Sequence, residues 1–268
     1  MTTPEFSGLE GAIRSAGKVL MDYFGRQLDR TYKSNPADFR TQADLAAEEI
    51  LIAGIEKGFP DYNIVAEEHG RIDKGSAFTF VVDPLDGTNN FVLGIPAFVT
   101  NIALMKDHQT IKGWVYHPVT GDMYFASQGD GAFLNGAPIR VNTEDRNENL
   151  TVSYYCNYTT PADRTVGFKS TLLNLGIQRS LDLWAPGFCF CALASGRLEA
   201  VINDGTELYD YAAGKLIALE AGARISTLRG RPEVGDHHET FLLSNGTSIH
   251  DFLIENVTRP LAMVSRDP

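Results

Sequence analysis

The chain has 268 residues, of which 43% are hydrophobic and 21% are charged, and its formal net charge is −11. This composition is typical of a globular protein, and the length fits one large domain or two closely packed halves. The acidic charge argues against a nucleic acid or an anionic membrane surface as the main partner. The sequence contains neither a signal-peptide pattern nor an apolar stretch long enough to cross a bilayer, so we expect a cytoplasmic protein.

Two amphipathic helices are predicted near the N-terminus, over 6–24 and 44–57, with a polar loop at 32–38 between them. Apolar residues recur at helical spacing in both segments, and Gly25 ends the first. Strand-like patterns follow, and those between 97 and 126 are separated by Gly and Asp turns, which is typical of a meander of antiparallel strands. These strands are predicted at 64–66, 78–82, 98–105, 111–116 and 123–126, with a hairpin at 129–136.

The polar segment 144–149 is the predicted boundary between an N-terminal half, 1–145, and a C-terminal half, 146–268. Strands and helices alternate after this boundary, which indicates a mixed α/β half behind an N-terminal α+β half with an antiparallel sheet. The later strands are predicted at 150–156, 177–181, 198–202 and 241–243, and the later helices at 165–175, 187–195, 209–221 and 248–257.

The most informative segment is Asp83-Pro-Leu-Asp-Gly-Thr-Asn-Asn90, which directly follows a predicted strand. Its two aspartates stand at a strand end, where carboxylates can bind a hard cation such as Mg²⁺ through oxygen. Pro84 is expected to fix a turn, and Gly87 and Thr88 to open a short helix whose N–H groups can bind phosphate. The alternative is an ordinary Asp-Gly turn in which Asp86 only caps a helix. The full string, with an acidic pair upstream, favours the metal site.

Two further acidic elements stand elsewhere in the chain. Glu67 and Glu68 follow a predicted strand, and neighbouring strand residues point to opposite faces, so only one of them is expected to reach a metal directly. Asp210 precedes small residues and an apolar run, and is expected to begin an amphipathic helix. Taken separately, the glutamates could be solvated surface residues and Asp210 a helix N-cap.

The cysteines are Cys156, Cys189 and Cys191, a low and odd number that fits buried thiols in a reducing compartment. Cys189 and Cys191 lie in an apolar, helix-like run without a second Cys or Cys/His pair at zinc spacing. Buried thiols are therefore favoured over a metal site. His237 and His238 lie in a polar loop and are interpreted as a solvated turn rather than as metal ligands.

Taken together, these segments resemble the inositol monophosphatase family, within the metal-dependent, lithium-sensitive phosphatase superfamily. The signature Asp-Pro-hydrophobic-Asp-Gly-Thr-x-Asn-Phe is matched throughout at 83–91, and Trp-Asp-x-Ala-(Ala/Gly)-Gly is matched by Tyr209-Asp-Tyr-Ala-Ala-Gly214. The family's Gly-Glu-Glu stands here as Ala66-Glu-Glu68, and its mobile-loop lysine and following aspartate resemble Lys33 and Asp44. The resemblance covers nearly the whole chain and implies a layered α-β-α-β-α sandwich that acts as one compact catalytic unit.

The same resemblance implies two or three Mg²⁺ ions, with Mn²⁺ as a possible substitute. A tight cluster of carboxylates cannot stay ionised without cations, and paired ions can stabilise both the attacking and the leaving oxygen. A third ion would be held by Glu67 and waters, with Asp44 in its outer shell. The implied metal ligands are Glu67, Asp83, the carbonyl oxygen of Leu85, Asp86 and Asp210.

The nucleophile implied by the resemblance is a metal-activated water in an in-line attack, without a covalent phospho-enzyme. Glu67, and Thr88 working with Asp44, would orient this water. The N–H groups of Gly87 and Thr88 would hold the phosphate. The implied substrate contacts are Lys33, Asp86, Gly87 and Thr88.

Three departures from the family pattern bear on the substrate. Tyr209 replaces the usual tryptophan and is expected to pack. The family's glutamate that contacts inositol hydroxyls falls on Asn203, an amide that can still hydrogen-bond a hydroxyl but lacks the charge. The loop at 182–186 is bulkier than the family's, and its Trp184 either stacks on a substrate ring or caps the core.

We therefore expect a Mg²⁺-dependent phosphomonoesterase acting on a small phosphorylated alcohol, with inositol monophosphate as the first candidate. The alternatives are fructose 1,6-bisphosphate, histidinol phosphate and 3′-phosphoadenosine 5′-phosphate, although few basic residues surround the predicted pocket, which disfavours bis-phosphates and nucleotides. A homodimer is expected, without a nucleic-acid or membrane partner. A non-catalytic regulatory binding protein is the alternative from a different class; the presence of every predicted metal carboxylate argues against it.

Overall fold

The computed structural model describes residues 4–33, 35–233, 235–236 and 239–264. The turn predicted at His237 and His238 lies outside these residues. Among the helices of the described residues, none combines the length and the apolar character needed to span a bilayer.

Two long helices open the described chain, α1 over Ser7–Tyr23 and α2 over Gln42–Gly58. Both present a buried apolar stripe at the helical period, and both confirm the predicted helices. Gly25, with a φ of 79°, follows the end of α1. The polar loop between the helices contains two short paired strands that the sequence did not predict, β1 over Thr31–Tyr32 and β2 over Phe39–Arg40.

The strands of the large sheet are β3 (Asn63–Ala66), β4 (Gly70–Ile72), β5 (Phe78–Asp86), β6 (Val99–Lys106), β7 (Gln109–His117), β8 (Asp122–Ser127), β9 (Gly131–Leu134) and β10 (Ala137–Ile139). In the described residues they form one eight-stranded sheet in the order β10-β9-β8-β7-β6-β5-β3-β4. Neighbours are antiparallel except that β3 runs parallel to β5. The antiparallel meander predicted between 97 and 126 is confirmed in β6, β7 and β8. The parallel pair arises because β4, which the sequence did not predict, reverses the chain, so that β5 then runs in the direction of β3.

Strand β5 extends four residues past the predicted end and includes Pro84. Its register against β6 shifts between Asp83 and Asp86. Pro84 therefore lies in a bulge of the strand and not in a turn, since proline is tolerated where the ladder of hydrogen bonds is interrupted. The bulge lets Asp83 and Asp86 turn their carboxylates towards the same region, which regular alternation along a strand would not do. The short helix α3, Thr88–Val92, follows the strand as predicted.

The second half contains a five-stranded mixed sheet, which confirms the predicted mixed α/β character. Its strands are β11 (Thr151–Cys156), β12 (Arg179–Leu181), β13 (Ala200–Asp204), β14 (Arg224–Ser226) and β15 (Thr240–Ser244), in the order β12-β11-β13-β15-β14. Its helices are α4 (Ala162–Asn174), α5 (Pro186–Ala194), α6 (Leu208–Glu220), α7 (Ile249–Leu253) and, after a π-helical turn at Ile254–Thr258, α8 (Arg259–Val264). Strand β14 was not predicted.

Three apolar clusters separate the layers. The first packs α1 and α2 on one face of the eight-stranded sheet, with Trp114 fully buried inside it. The second joins the opposite face of that sheet to α5, α6 and the five-stranded sheet, around Phe190 and Phe241. The third packs α4 and α7 on the outer face of the five-stranded sheet, around Phe168. The order of layers is therefore α-β-α-β-α, as the resemblance implied, and the central cluster ties the two halves together.

Candidate active site

A cavity of about 220 Å³ opens where β5 and α3 meet the starts of α5 and α6. Its walls come from both halves of the chain and combine carboxylates with aromatic rings. The predicted site residues that line it are Lys33, Glu67, Asp83, Leu85, Asp86, Gly87, Thr88, Trp184 and Asp210.

Three aspartates converge at the base of this cavity. One carboxylate oxygen each from Asp83, Asp86 and Asp210 lies within 4.8 Å of the others. Asp83 and Asp86 are buried, and Asp210 is half-buried. The main-chain N–H of Leu85 donates to Asp83 Oδ1 at 3.0 Å, so the bulge itself helps to orient this carboxylate. The family resemblance implied this convergence, and the structure produces it from a strand, a bulge and the start of a distant helix.

Asp86, the second aspartate of the bulge, also accepts a hydrogen bond from the start of a helix in the other half of the chain. The N–H of Gly187 donates to Asp86 Oδ2 at 2.6 Å. Helix α5 begins at Ala185-Pro186, and its N-cap residue makes no side-chain cap. Asp86 therefore supplies the acceptor that an N-cap side chain normally provides, and it is stabilised in turn by the positive end of the helix. The alternative of Asp86 as the cap of its own following helix is wrong, since Gly87 is the N-cap of α3.

Asp210 is the third residue of α6, and Glu207 is the N-cap. The interpretation of Asp210 as the N-cap is therefore wrong by three residues. Its carboxylate accepts the Glu207 N–H at 2.9 Å, which closes a capping box at this helix start. Tyr209, which stands in place of the family's tryptophan, lines the cavity and packs its ring against the central apolar cluster, as expected.

The two neighbouring glutamates lie in the turn between β3 and β4, and their side chains point in different directions. Glu67 lines the cavity, whereas Glu68 turns away and forms an ion pair with Arg40 at 3.1 Å. The Lys33 ammonium lies 2.7 Å from a carboxylate oxygen of each glutamate. Lys33 thus reaches the cavity as predicted, but its charge is engaged by Glu67 and Glu68.

Burial dominates the electrostatics of the carboxylates. It raises the pKa of Glu67 to about 7, although the Lys33 ammonium opposes that shift. Burial also raises the pKa of Asp83 well above its usual range, reinforced by the charges of Glu67, Asp86 and Asp210. The pKa values of Asp86 and Asp210 are raised in the same way. Such a set of oxygen donors is costly to ionise alone and suits a hard divalent cation.

Thr88 links the cavity to a carboxylate behind it. Its Oγ1 lies 3.0 Å from Asp44 Oδ1 and 3.0 Å from the carbonyl oxygen of Leu85. Asp44 is fully buried and does not line the cavity, so it contacts the site through Thr88. Burial raises the pKa of Asp44 to about 6, against hydrogen bonds from Thr41 that lower it.

Gly87 sits at the sharp junction between β5 and α3. Its φ is 99°, a left-handed conformation that side chains disfavour. A Cβ atom there would lie 3.0 Å from the Ala97 carbonyl oxygen and 3.0 Å from Ala185 Cβ. Glycine is therefore required at this position, which is the N-cap of α3.

The outer wall is aromatic. Trp184 is 43% exposed and lines the cavity. The alternative prediction, that it caps the core, is therefore wrong. Tyr158 stands in the same wall, and its hydroxyl accepts a hydrogen bond of 2.7 Å from Asn89 Nδ2. That amide also donates to the Ala37 carbonyl at 3.0 Å, which ties the β1–β2 hairpin to the wall. Sequence reasoning missed Tyr158, because no local pattern places the segment after β11 beside α3.

Asn203 is the one predicted substrate contact that the structure moves away from the cavity. It lies on β13, is fully buried and is not part of the cavity wall. Its Nδ2 donates to the Glu239 carbonyl at 2.7 Å and to Thr206 Oγ1 at 3.0 Å. The prediction of a hydroxyl-binding amide is therefore wrong, because the alternation of β13 turns this side chain into the protein.

Cys189 and Cys191 are buried thiols of α5, and Cys156 is partly buried on β11. Burial raises the pKa of Cys189 to about 12. These thiols pack in the core, as predicted.

Residues 3–260 match the model of the inositol monophosphatase family. The chain belongs to this family. It is a phosphatase of the family with a buried aspartate cluster that can hold a metal ion, and the family is metal-dependent.

Two curated relatives span most of the chain. The Nus factor SuhB of Pasteurella multocida is 33% identical over 224 residues, covering 82% of this chain and 83% of the relative. The inositol-1-monophosphatase of Mesorhizobium japonicum is 30% identical over 262 residues, covering 94% and 95%. Among solved structures, the extragenic suppressor SuhB of Bartonella henselae superposes with a TM-score of 0.88 at 26% identity, covering 95% of this chain and 98% of that one. Relatives of this phosphatase thus carry different functional names, and the substrate has to be argued from the site.

Proposed function

We propose that this member of the inositol monophosphatase family is a Mg²⁺-dependent phosphomonoesterase that hydrolyses a small phosphorylated alcohol. The observation that carries the proposal is the convergence of Asp83, Asp86 and Asp210 at the base of a cavity that Glu67 and Thr88 also line. A non-catalytic binding protein would not need carboxylates whose pKa values are raised by burial and, in addition, by the charges of neighbouring carboxylates.

The metal ions would be held by oxygen atoms alone, which suits Mg²⁺ or Mn²⁺ and suits soft metals poorly. When bound, the ions would neutralise the phosphate and stabilise charge on the attacking and leaving oxygens. The residues proposed to hold them are Glu67, Asp83, the carbonyl oxygen of Leu85, Asp86 and Asp210.

The protein's own groups would orient the water that attacks phosphorus. Thr88 Oγ1 donates its single proton towards Asp44 and the Leu85 carbonyl, so its lone pairs are available to accept a hydrogen bond from that water. Glu67 borders the same space, where its carboxylate would accept a hydrogen bond from the water and help to orient it. The N–H groups of Gly87 and Thr88 would hold a phosphate oxygen.

The alcohol would occupy the outer part of the cavity, beside Trp184 and Tyr158. A volume of about 220 Å³ suits a sugar-sized alcohol, and inositol monophosphate is the first candidate. Lys33 is the basic side chain of the described cavity wall, and Glu67 and Glu68 already engage it. Fructose 1,6-bisphosphate and 3′-phosphoadenosine 5′-phosphate are therefore disfavoured, because a second phosphate would lack a charged partner. Histidinol phosphate remains an alternative.

The test is phosphate release from inositol monophosphate, glycerol phosphate and histidinol phosphate, with the metal-free protein and after Mg²⁺ is added. We expect turnover only with Mg²⁺ or Mn²⁺, and inhibition by Ca²⁺, whose longer bonds would misplace the water. Lithium is expected to inhibit as well. Full turnover after exhaustive chelation would refute the metal mechanism. We also propose that the protein is a homodimer in the cytoplasm. The mass measured in solution tests the dimer, and cell fractionation tests the location.

A further inference from the structure

A buried amide, Asn101, lies directly beneath the aspartate cluster. It stands on β6 opposite Asp83 in the register of β5 and β6, so the two side chains share one face of the sheet. Only 1% of Asn101 is exposed. Because the bulge of β5 turns Asp86 towards the same region, a single side chain on β6 can contact both carboxylates.

The amide nitrogen of Asn101 is placed among three acceptors. Its Nδ2 lies 3.4 Å from Asp83 Oδ2, 3.3 Å from Asp86 Oδ2 and 3.4 Å from the main-chain oxygen of Asp210. An amide group carries two N–H hydrogens, so it can serve two carboxylates at once. The contacts are long for single hydrogen bonds, as expected for a donor shared among several acceptors.

The other end of the amide has an unusual surrounding. Asn101 Oδ1 is buried and accepts no hydrogen bond from the described residues. A Cβ atom at Gly187 would lie 2.4 Å from this oxygen and 2.7 Å from Nδ2. The glycine therefore provides the space for the amide at the position whose N–H donates to Asp86. A buried acceptor without a donor costs free energy. The contacts of Nδ2 therefore have to offset the cost of burying Oδ1.

We propose that Asn101 is a positioning residue for the metal ligands, whose N–H groups hold the carboxylates of Asp83 and Asp86 in the orientation that receives the cation. This inference rests on the proposed Mg²⁺-dependent function, because it concerns the same carboxylates. A lysine at this place would compete with the cation, and a carboxylate would add to the repulsion within the cluster. An uncharged donor does neither.

The test compares Asn101→Leu, which keeps the branching and the number of side-chain heavy atoms and removes the donors, with Asn63→Leu. Asn63 is a buried asparagine of β3 outside the cavity, and its Nδ2 donates to the Ser76 carbonyl at 2.7 Å. Calorimetry measures Mg²⁺ binding to the metal-free proteins, and phosphate release gives the half-activating Mg²⁺ concentration. We expect both constants to rise about tenfold in Asn101→Leu, the worth of one hydrogen bond to a charged group, and to be unchanged in Asn63→Leu.

Asn101→Ser is the second variant, because a hydroxyl keeps one donor and is less disruptive than leucine. It should shift the Mg²⁺ constants less than leucine does, by about threefold. Equal shifts in the two variants would overturn the proposal, because the donors would then not be the cause. Unchanged constants in Asn101→Leu would overturn it as well. Wild-type protein that neither binds Mg²⁺ nor releases phosphate would instead refute the proposed function, so the two failures are distinguishable.

Discussion

Asp44 and Asp210 occupy the same position in two different helices, since each is the third residue of its helix and closes a capping box. Asp44 Oδ2 accepts the Thr41 N–H at 2.8 Å, and Asp210 Oδ2 accepts the Glu207 N–H at 2.9 Å. In Asp44 the other oxygen, Oδ1, then accepts the Thr88 hydroxyl. A capping box fixes the rotation of its carboxylate, so the interaction that stabilises each helix start also orients a site residue.

The first prediction concerns Asp86, which borders the cavity and accepts the Gly187 N–H. Asp86→Asn removes one negative charge from the proposed metal ligands while keeping the shape of the side chain. We expect the turnover number to fall at least about a hundredfold at saturating Mg²⁺, a loss of about 3 kcal/mol in transition-state stabilisation. Steady-state kinetics with a circular dichroism control for folding measures this. A variant that keeps more than about a tenth of the wild-type turnover would show that Asp86 is not a ligand.

The second prediction concerns the hydroxyl of Thr88. Thr88→Val is nearly isosteric and removes the group that we propose orients the attacking water. We expect the turnover number to fall about a hundredfold, while KM changes by less than about threefold, because the hydroxyl acts mainly in the transition state. Thr88→Ser is the matched control and should retain most of the activity. Equal losses in the valine and serine variants would contradict the role of the hydroxyl, because serine keeps this group and valine does not.

The third prediction concerns the aromatic wall. Trp184→Ala should lower catalytic efficiency for ring-bearing substrates more than for glycerol phosphate, since stacking on an indole contributes about 1 kcal/mol. The ratio of the two efficiencies is therefore expected to fall about fivefold. Trp184→Phe keeps an aromatic face and should preserve most of the ratio. If the ratio in Trp184→Ala equals that of the wild type, the indole does not contact the alcohol.

The sequence predicts the placement of Asp83 and Asp86 well, because the acidic string, the strand before it and the helix after it are all local. It predicts Asn203 wrongly, since spacing from Asp210 gives a position on β13 but not the direction of the side chain. The sequence favours a turn at Pro84 and gives no sign of the bulge, because a bulge depends on pairing with a neighbouring strand. Asn101 carries no local signal at all. Its place beneath the aspartates follows only from the register of β5 against β6.

The fourth prediction follows from the correction at Asn203. Asn203→Glu would bury a charge beside the Thr206 hydroxyl and the Glu239 carbonyl, which already accepts the Asn203 amide. We expect the free energy of unfolding to fall by about 3 kcal/mol or more, with no change in the preference between inositol phosphate and glycerol phosphate. Denaturant unfolding measures the change in stability, and steady-state kinetics measures the substrate preference. Asn203→Gln is the uncharged control of equal length, and a shift towards inositol phosphate in the glutamate variant alone would contradict the structure.

The last prediction concerns pH and a histidine remote from the cavity. His250 of α7 is fully buried, with Nδ1 at 2.8 Å from Ser244 Oγ and Nε2 at 3.0 Å from Ser226 Oγ. Burial, assisted by the charge of Arg224 and opposed by Asp251, lowers the pKa of His250 from 6.5 to about 4. The unfolded chain therefore binds this proton at a higher pH than the folded chain does.

Neutral His250 contributes to the free energy of unfolding. This contribution is present in full above the unfolded pKa of about 6.5 and is lost as the pH falls through about 4. The difference between the folded and unfolded pKa values corresponds to a loss of about 3 kcal/mol in the free energy of unfolding. Denaturant unfolding of wild type and His250→Gln at pH 7.5, 5.5 and 4 measures it, with metal removed from both proteins. We expect the wild type to lose more stability on acidification than the glutamine variant, which cannot take up this proton. Parallel pH profiles would mean that His250 titrates alike in both states, so that neither its burial nor its two serine contacts keep it neutral.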